Sequence, residues 1–211
     1  IGDATSAESV RVACRNADVV YNCVNVPGRK WATVMPVVTD NILAAVREAK
    51  ARLVYPGSVH GYGPFRNTPA TEDHPLGATT TQGKLRNTIE RKMVDANLMG
   101  DAQVVIPRFP DFYGANVTNR LVTAIFEAAL AGKRAKWPGQ LNVPHDLVYV
   151  EDAATACFLL GANESSYGQV WHVPGPGPLT GQQFMEMAFA KAGTKPMLGT
   201  RGNGLFRIFS S

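Results

Sequence analysis

The sequence has no G-x-G-x-x-G turn near its start, only three cysteines, and no apolar run long enough to cross a membrane. Each absence excludes something. A doubly wound dinucleotide-binding fold usually opens with a strand, that glycine turn and a helix, because the turn lets backbone N–H groups approach a pyrophosphate at the helix N-terminus. The first visible unit here therefore reads as the tail of a later strand. Cys14, Cys23 and Cys157 are odd in number, and no two stand at metal or redox spacing. Each lies in an apolar stretch, so buried free thiols are expected, in keeping with a reducing, cytoplasmic compartment. A membrane helix needs about 20 consecutive apolar residues, and Ile1-Gly2-Asp3 opens no signal-peptide pattern. The excess of positive over negative charge is also small. Lys and Arg total 21 against 17 Asp and Glu, a net charge of +4. Only Lys133, Arg134 and Lys136 cluster, whereas a nucleic-acid footprint is a dense stripe or a known module. Neither nucleic acid nor membrane is expected as a partner.

What is present is an ordinary globular composition, 45% hydrophobic and 18% charged over 211 residues, enough for a full-sized domain with a core. Short apolar runs alternate with stretches of helical period, which predicts α/β architecture with a parallel sheet. Val10, Ala13, Cys14 and Ala17 share one helical face. Asp18 to Val24 is a β-branched strand run. Val34, Val37, Val38, Ile42, Ala45 and Val46 predict a second helix. Arg52 to Tyr55 is the next strand, Gly61 to Asp73 a turn-rich loop, and Leu85, Ile89, Met93 and Ala96 a helix. Val104 to Ile106 forms another strand. Beyond it come a helix over Leu121 to Leu130, a strand at Leu147 to Val150, a helix from Glu151-Asp152 and a strand at Gln169 to Val173. Thr180 is placed to cap a last helix carrying Phe184 and Met187.

Several segments, in order, resemble the extended short-chain dehydrogenase/reductases, the NAD-dependent epimerase/dehydratase group. They are Gly2-Asp3 with the later strand DVVYNCVN, YPGSVHGYG (Tyr55 to Gly63), TTTQGKLRNTIE (Thr79 to Glu90) and VVIPRFPDFYGANV (Val104 to Val117). HDLVYVEDAA (His145 to Ala154) is a weaker match. Atypical members of the group share a T-E-D-x-P loop end (here Thr71 to Pro75), a Lys-Gly or Gly-Lys element (here Gly83-Lys84), the Arg108 to Gly114 segment and the Trp171 to Pro174 strand. The resemblance implies a partial Rossmann-like doubly wound parallel sheet over residues 1–115. A small C-terminal substrate lobe would follow over 116–211, with elements near 145–162 returning to the first part. It also implies that the chain begins after the family's first two strands.

The same resemblance implies NAD or NADP as cofactor and a small-molecule substrate, a sugar nucleotide or a small hydroxy or keto compound. Asp3, Ala4, Cys23, Val24, Asn25, Lys84, Phe109 and Pro110 would line the cofactor, and His60, Asp111, Asn116 and His145 the substrate. Ser58, Lys84 and Tyr62 are the catalytic candidates. A homodimer through the Val34–Val46 and Leu85–Ala96 helices is a further expectation. One position departs from the pattern. The family's usual base is a tyrosine four residues before the lysine, a phenol whose pKa the cation lowers. Here that position is Thr80, and an aliphatic hydroxyl is too weakly acidic to replace it. Atypical members also lack the tyrosine. The proton carrier is therefore open at this stage. Histidine is the residue type whose ordinary pKa suits such work, which draws notice to His60. A non-catalytic dinucleotide-binding protein is the alternative.

Overall fold

Strands of three to six residues joined by long amphipathic helices can bury both faces of a sheet if the strands run parallel. The computed structural model describes residues 2–65 and 69–201 and has that arrangement in a first unit, Ile1–Phe109 with Ala154–Val173. The chain runs through α1 (Ala7–Cys14), β1 (Val19–Tyr21), α2 (Gly28–Ala49), β2 (Arg52–Val54), β3 (Gly57–Ser58), a 3-10 turn (Val59–Gly61), α3 (Thr81–Leu98) and β4 (Val104–Phe109). It continues through β5 (Asp111–Tyr113), α4 (Arg120–Leu130), β6 (Ala135–Pro138), β7 (Pro144–His145), β8 (Leu147–Tyr149) and α5 (Val150–Ala162). It closes with β9 (Val170–His172), β10 (Leu179–Thr180), α6 (Gly181–Ala192) and β11 (Leu198–Arg201).

In the first unit β1 pairs with β2, β2 and β3 pair with successive parts of β4, and β9 pairs with β4 along its other edge; every pairing is parallel. Sheet and helices meet in a core where Val38, Val46, Leu53 and Met93 are wholly excluded from solvent. Each such side chain contributes about 1.5–3 kcal/mol. The caps follow the local chemistry. Ser6 caps α1 by accepting from the Ser9 amide. Lys50, in the left-handed region at φ 54°, ends α2. All six residues of β4 are buried, Arg108 among them.

Among the described residues, the second unit holds Pro110–Ala153 and residues 174–201. Here α4 and α6 pack with β6, which pairs in parallel with β11. Trp137, Ile125, Met185 and Phe189 are at most 2% exposed. A Cβ on Gly181 would lie 2.4 Å from the Trp137 indole, so only glycine lets the helix start approach that ring. Thr180 makes a full capping box with Gln183.

The helical and strand periods of the sequence reappear as α1 to α6 and β1, β2, β4, β8 and β9. β1 is shorter than the Asp18–Val24 run: beyond Tyr21 the Asn22 side chain accepts from the Val24 amide in a local turn. The two-residue strands β3, β7 and β10 have no periodicity to read. One expectation is corrected. The cysteines are free, as predicted, but Cys23 is exposed while Cys14 is buried and Cys157 half-buried. Cys23 sits beyond the end of β1, where the chain has left the sheet. No helix among the described residues is long and apolar enough to cross a membrane, and no metal-binding group of His, Cys, Asp or Glu occurs among them.

Candidate functional site

In an open parallel sheet the carboxyl ends of the strands form the crevice where ligands bind. In the first unit that edge is formed by the segments after β1, after β2 and around β3. Ser58 ends β3 and caps the following 3-10 turn. Its Oγ is hydrogen-bonded to His60 Nδ1 at 2.8 Å and accepts from the His60 amide at 3.2 Å. Ser58 is half-buried and His60 exposed, so the pair is open to a reactant. The turn is fixed from behind. Asn87 Nδ2 donates to the Gly61 carbonyl at 3.0 Å, and a Cβ on Gly61 would meet Asn87 Oδ1 at 2.3 Å. A Cβ on Gly83 would come within 3.2 Å of the His60 carbonyl oxygen. The first turn of α3 thus lies directly against the Ser58–His60 turn.

Thr80 begins that helix as its N-cap, its Oγ1 accepting from the Gly83 amide at 3.1 Å. The hydroxyl that stands in the tyrosine position is therefore spent on the backbone. Lys84 is exposed. Arg86 is half-buried, with its guanidinium over the Trp31 ring, 4.4 Å from the centroid. Trp31 Nε1 in turn donates to Asn25 Oδ1 at 2.7 Å. Tyr55, at the end of β2, is pushed up to about 12 by burial, against the opposing charge of Arg86. That phenol stays neutral at any working pH.

Tyr62 lies in a buried network instead of the crevice. Arg108 bonds Glu90 through both Nε and Nη2, and through Nη1 it reaches the Tyr62 hydroxyl and the Glu72 carbonyl. The Tyr62 hydroxyl is also bonded to His172 Nε2, and the His172 amide donates to Glu72 Oε1 at 2.8 Å. Tyr62 is 1% exposed. Its pKa is raised, chiefly by burial and against the opposing pull of Arg108, the reverse of what a base requires. The network ties α3, β4, β9 and the loop at Glu72 together, and its geometry is that of a structural clamp.

The remaining sequence candidates scatter. Asp3 is exposed, and its carboxylate accepts from the Thr5 amide and hydroxyl, which hold its pKa low. Ala4 and Val24 are half-buried, and Cys23 and Asn25 exposed. Phe109 is 1% exposed at the end of β4. Pro110 is half-buried. In the second unit Asp111 accepts from Asn119 Nδ2 at 3.0 Å, and Asn116 is exposed at φ 60°. His145 stacks edge-on against Trp137, 5.1 Å between centroids, and burial lowers its pKa. It lines a cavity of about 440 Å³ walled mainly by Tyr113, Phe126, Leu179, Phe184 and Met187, with Lys191 as its cation. The sequence reading missed Arg86, Arg108 and Glu90. A lone Arg in the otherwise apolar run VVIPRF was the available signal for the clamp.

The profile of the NAD dependent epimerase/dehydratase family matches residues 1–173. No curated protein matches the sequence. Among solved structures the chain is similar to a UDP-N-acetylglucosamine 4-epimerase from Bacillus cereus, with 17% identity and a TM-score of 0.81 over 93% of this chain and 70% of that one. It is also similar to a dTDP-glucose 4,6-dehydratase from Bacillus anthracis in complex with NAD, with 18% identity and a TM-score of 0.83 over 95% and 67%. RMD from Pseudomonas aeruginosa complexed with NADPH gives 15% and 0.79 over 96% and 78%. At such identities these neighbours establish the fold, an α/β Rossmann type of which this chain spans roughly two thirds to three quarters. With the profile covering most of its length, the chain belongs to the NAD dependent epimerase/dehydratase family.

Proposed function

We propose that the protein is an NAD(P)-dependent oxidoreductase or epimerase acting on a sugar nucleotide or a small hydroxy or keto compound, with Ser58 and His60 carrying the proton chemistry. The observation that carries this reading is the 2.8 Å Ser58–His60 hydrogen bond at the carboxyl edge of the sheet. The residues present suit the nicotinamide-ribose end of a dinucleotide: a hydroxyl, an imidazole, the Asn25 amide and the Arg86 cation of α3. A glycine-rich turn for the pyrophosphate is not among them. A bound nicotinamide supplies or removes hydride at a carbinol carbon. Ser58 Oγ then holds the substrate oxygen, and His60 takes or returns its proton through that hydroxyl. Such a relay contributes about 10²–10⁴-fold.

The neighbours solved with NAD and with NADPH support both cofactors equally. Three free thiols are in keeping with a reducing cytoplasm, and a homodimer through α2 and α3 remains the expected assembly. A second reading, a dinucleotide-binding protein without turnover, draws on Thr80, whose hydroxyl caps α3 by accepting from the Gly83 amide and is too weakly acidic to replace a phenol. The deciding experiment follows NAD(P)H absorbance with the full-length protein across a panel of carbonyl compounds and sugar nucleotides. The enzyme reading expects oxidation or reduction with one class. Cofactor binding with no absorbance change across the panel favours the second reading.

A further inference from the structure

We propose that Arg86, rather than Lys84, is the cation of this site, presenting its charge to the dinucleotide and to the substrate oxygen beside Ser58 and His60. The inference rests on the function proposed above and sharpens which residue of α3 takes part.

The two positions lie on different sides of the helix. Residues 100° apart in projection return to one face every three or four positions. Lys84, Thr88, Arg91 and Asp95 are all exposed and mark the outer stripe of α3. Asn87, Glu90, Ile89 and Met93 are buried and mark the stripe that meets the sheet. Arg86 shares that inner side, one turn before Glu90, and Gln82 stands one turn before Arg86.

Three observations place the Arg86 charge at the strand ends. Its guanidinium lies over Trp31, a residue 7% exposed in the first turns of α2. Trp31 bonds Asn25, beyond the carboxyl end of β1. Tyr55, beyond the end of β2, is electrostatically coupled to Arg86. The indole fixes the cation, a contact that gains strength where water is excluded. A guanidinium carries five donors in one plane and stays charged at every working pH. It is therefore suited to hold phosphate or ribose oxygens and to favour a developing alkoxide, but not to give up a proton. Gln82 is also neutral. Both facts leave proton transfer to His60.

The test uses the full-length protein and the variants Arg86→Gln, Arg86→Lys and Lys84→Gln. NAD(P)H affinity is read by fluorescence titration, with turnover as a second readout. Arg86→Gln is expected to weaken NAD(P)H binding at least about tenfold, a loss of one charge-assisted contact. Arg86→Lys should recover part of it, because the charge over Trp31 survives and the planar fork does not. Lys84→Gln should stay within about twofold of the wild type. If Arg86→Gln fails to fold, Arg86→Lys decides, and an unchanged affinity in it overturns the assignment. A large loss in Lys84→Gln with none in the Arg86 variants overturns it also, while leaving the function intact. A wild type that binds no NAD(P)H overturns both.

Discussion

Ser58 Oγ stands 2.8 Å from His60 Nδ1, in a turn held from behind by Asn87 and pressed by the start of α3. A hydroxyl and an imidazole are thereby paired where the family usually relies on a phenol. Ser58→Ala and His60→Gln should each lower turnover by about 10²–10⁴-fold with little change in fold. Steady-state rates beside circular dichroism check this. Equal turnover in His60→Gln and the wild type would remove His60 from the mechanism.

The turn itself gives a second expectation. Gly61→Ala places a Cβ 2.3 Å from Asn87 Oδ1, so the amide must move and the bond to the Gly61 carbonyl is lost. Overpacking of this kind costs about 1–3 kcal/mol, and Ser58 and His60 shift with the turn. Urea unfolding and turnover should therefore fall together. The control Gly100→Ala, where no atom lies within 4 Å of the new Cβ, strains only the backbone at φ 73° and should leave turnover unchanged.

Arg108 and Glu90 form a pair with side chains 5% and 7% exposed. Removing one partner leaves a buried charge alone, at about 3–5 kcal/mol. Glu90→Ala should lose that much in urea unfolding. The double variant Arg108→Met with Glu90→Leu should recover most of it, since apolar replacement of the pair is close to neutral. A double variant as unstable as the single one would show that the clamp acts through Tyr62 and Glu72 more than through the ion pair.

Burial holds His172 and His145 below the ordinary histidine value of 6.5. For each, the unfolded chain binds more protons than the native one between the native pKa and 6.5, so stability rises with pH across that window. The contribution is complete above about 6.5 and is lost as pH falls through the native values. Melting temperature should drop as pH falls below 6.5, and His172→Gln should make the drop shallower. A melting temperature that rises on acidification over that range contradicts the lowered pKa of these two half-buried rings.

Much of the fold is legible because its signals are local. The DVVY and RLV runs pair as strands, the Val34–Val46 period is α2, and Thr180 caps α6 through chemistry within four residues. The site is less legible because its decisive relationships are not local. Arg108 meets Glu90 across 18 positions and Tyr62 across 46. The exposure of Cys23 depends on where β1 ends. Lys84 and Arg86 are two residues apart, so a helix sets them on different sides, but only the burial of α3 shows which of the two faces inward. Ser58 and His60 are close in sequence, yet it is the 3-10 turn that brings the imidazole back onto the hydroxyl.

The central claim, that this site moves hydride with Ser58 and His60 managing the proton, is tested most directly by label transfer. The full-length protein is given NAD(P)H deuterated at the transferring carbon and a carbonyl or keto-sugar compound that it turns over, and the product is read by mass spectrometry. The account predicts one deuterium on the new carbinol carbon in the wild type and its near loss in Ser58→Ala and His60→Gln. Product formed without label, or labelled equally in both variants, would contradict it.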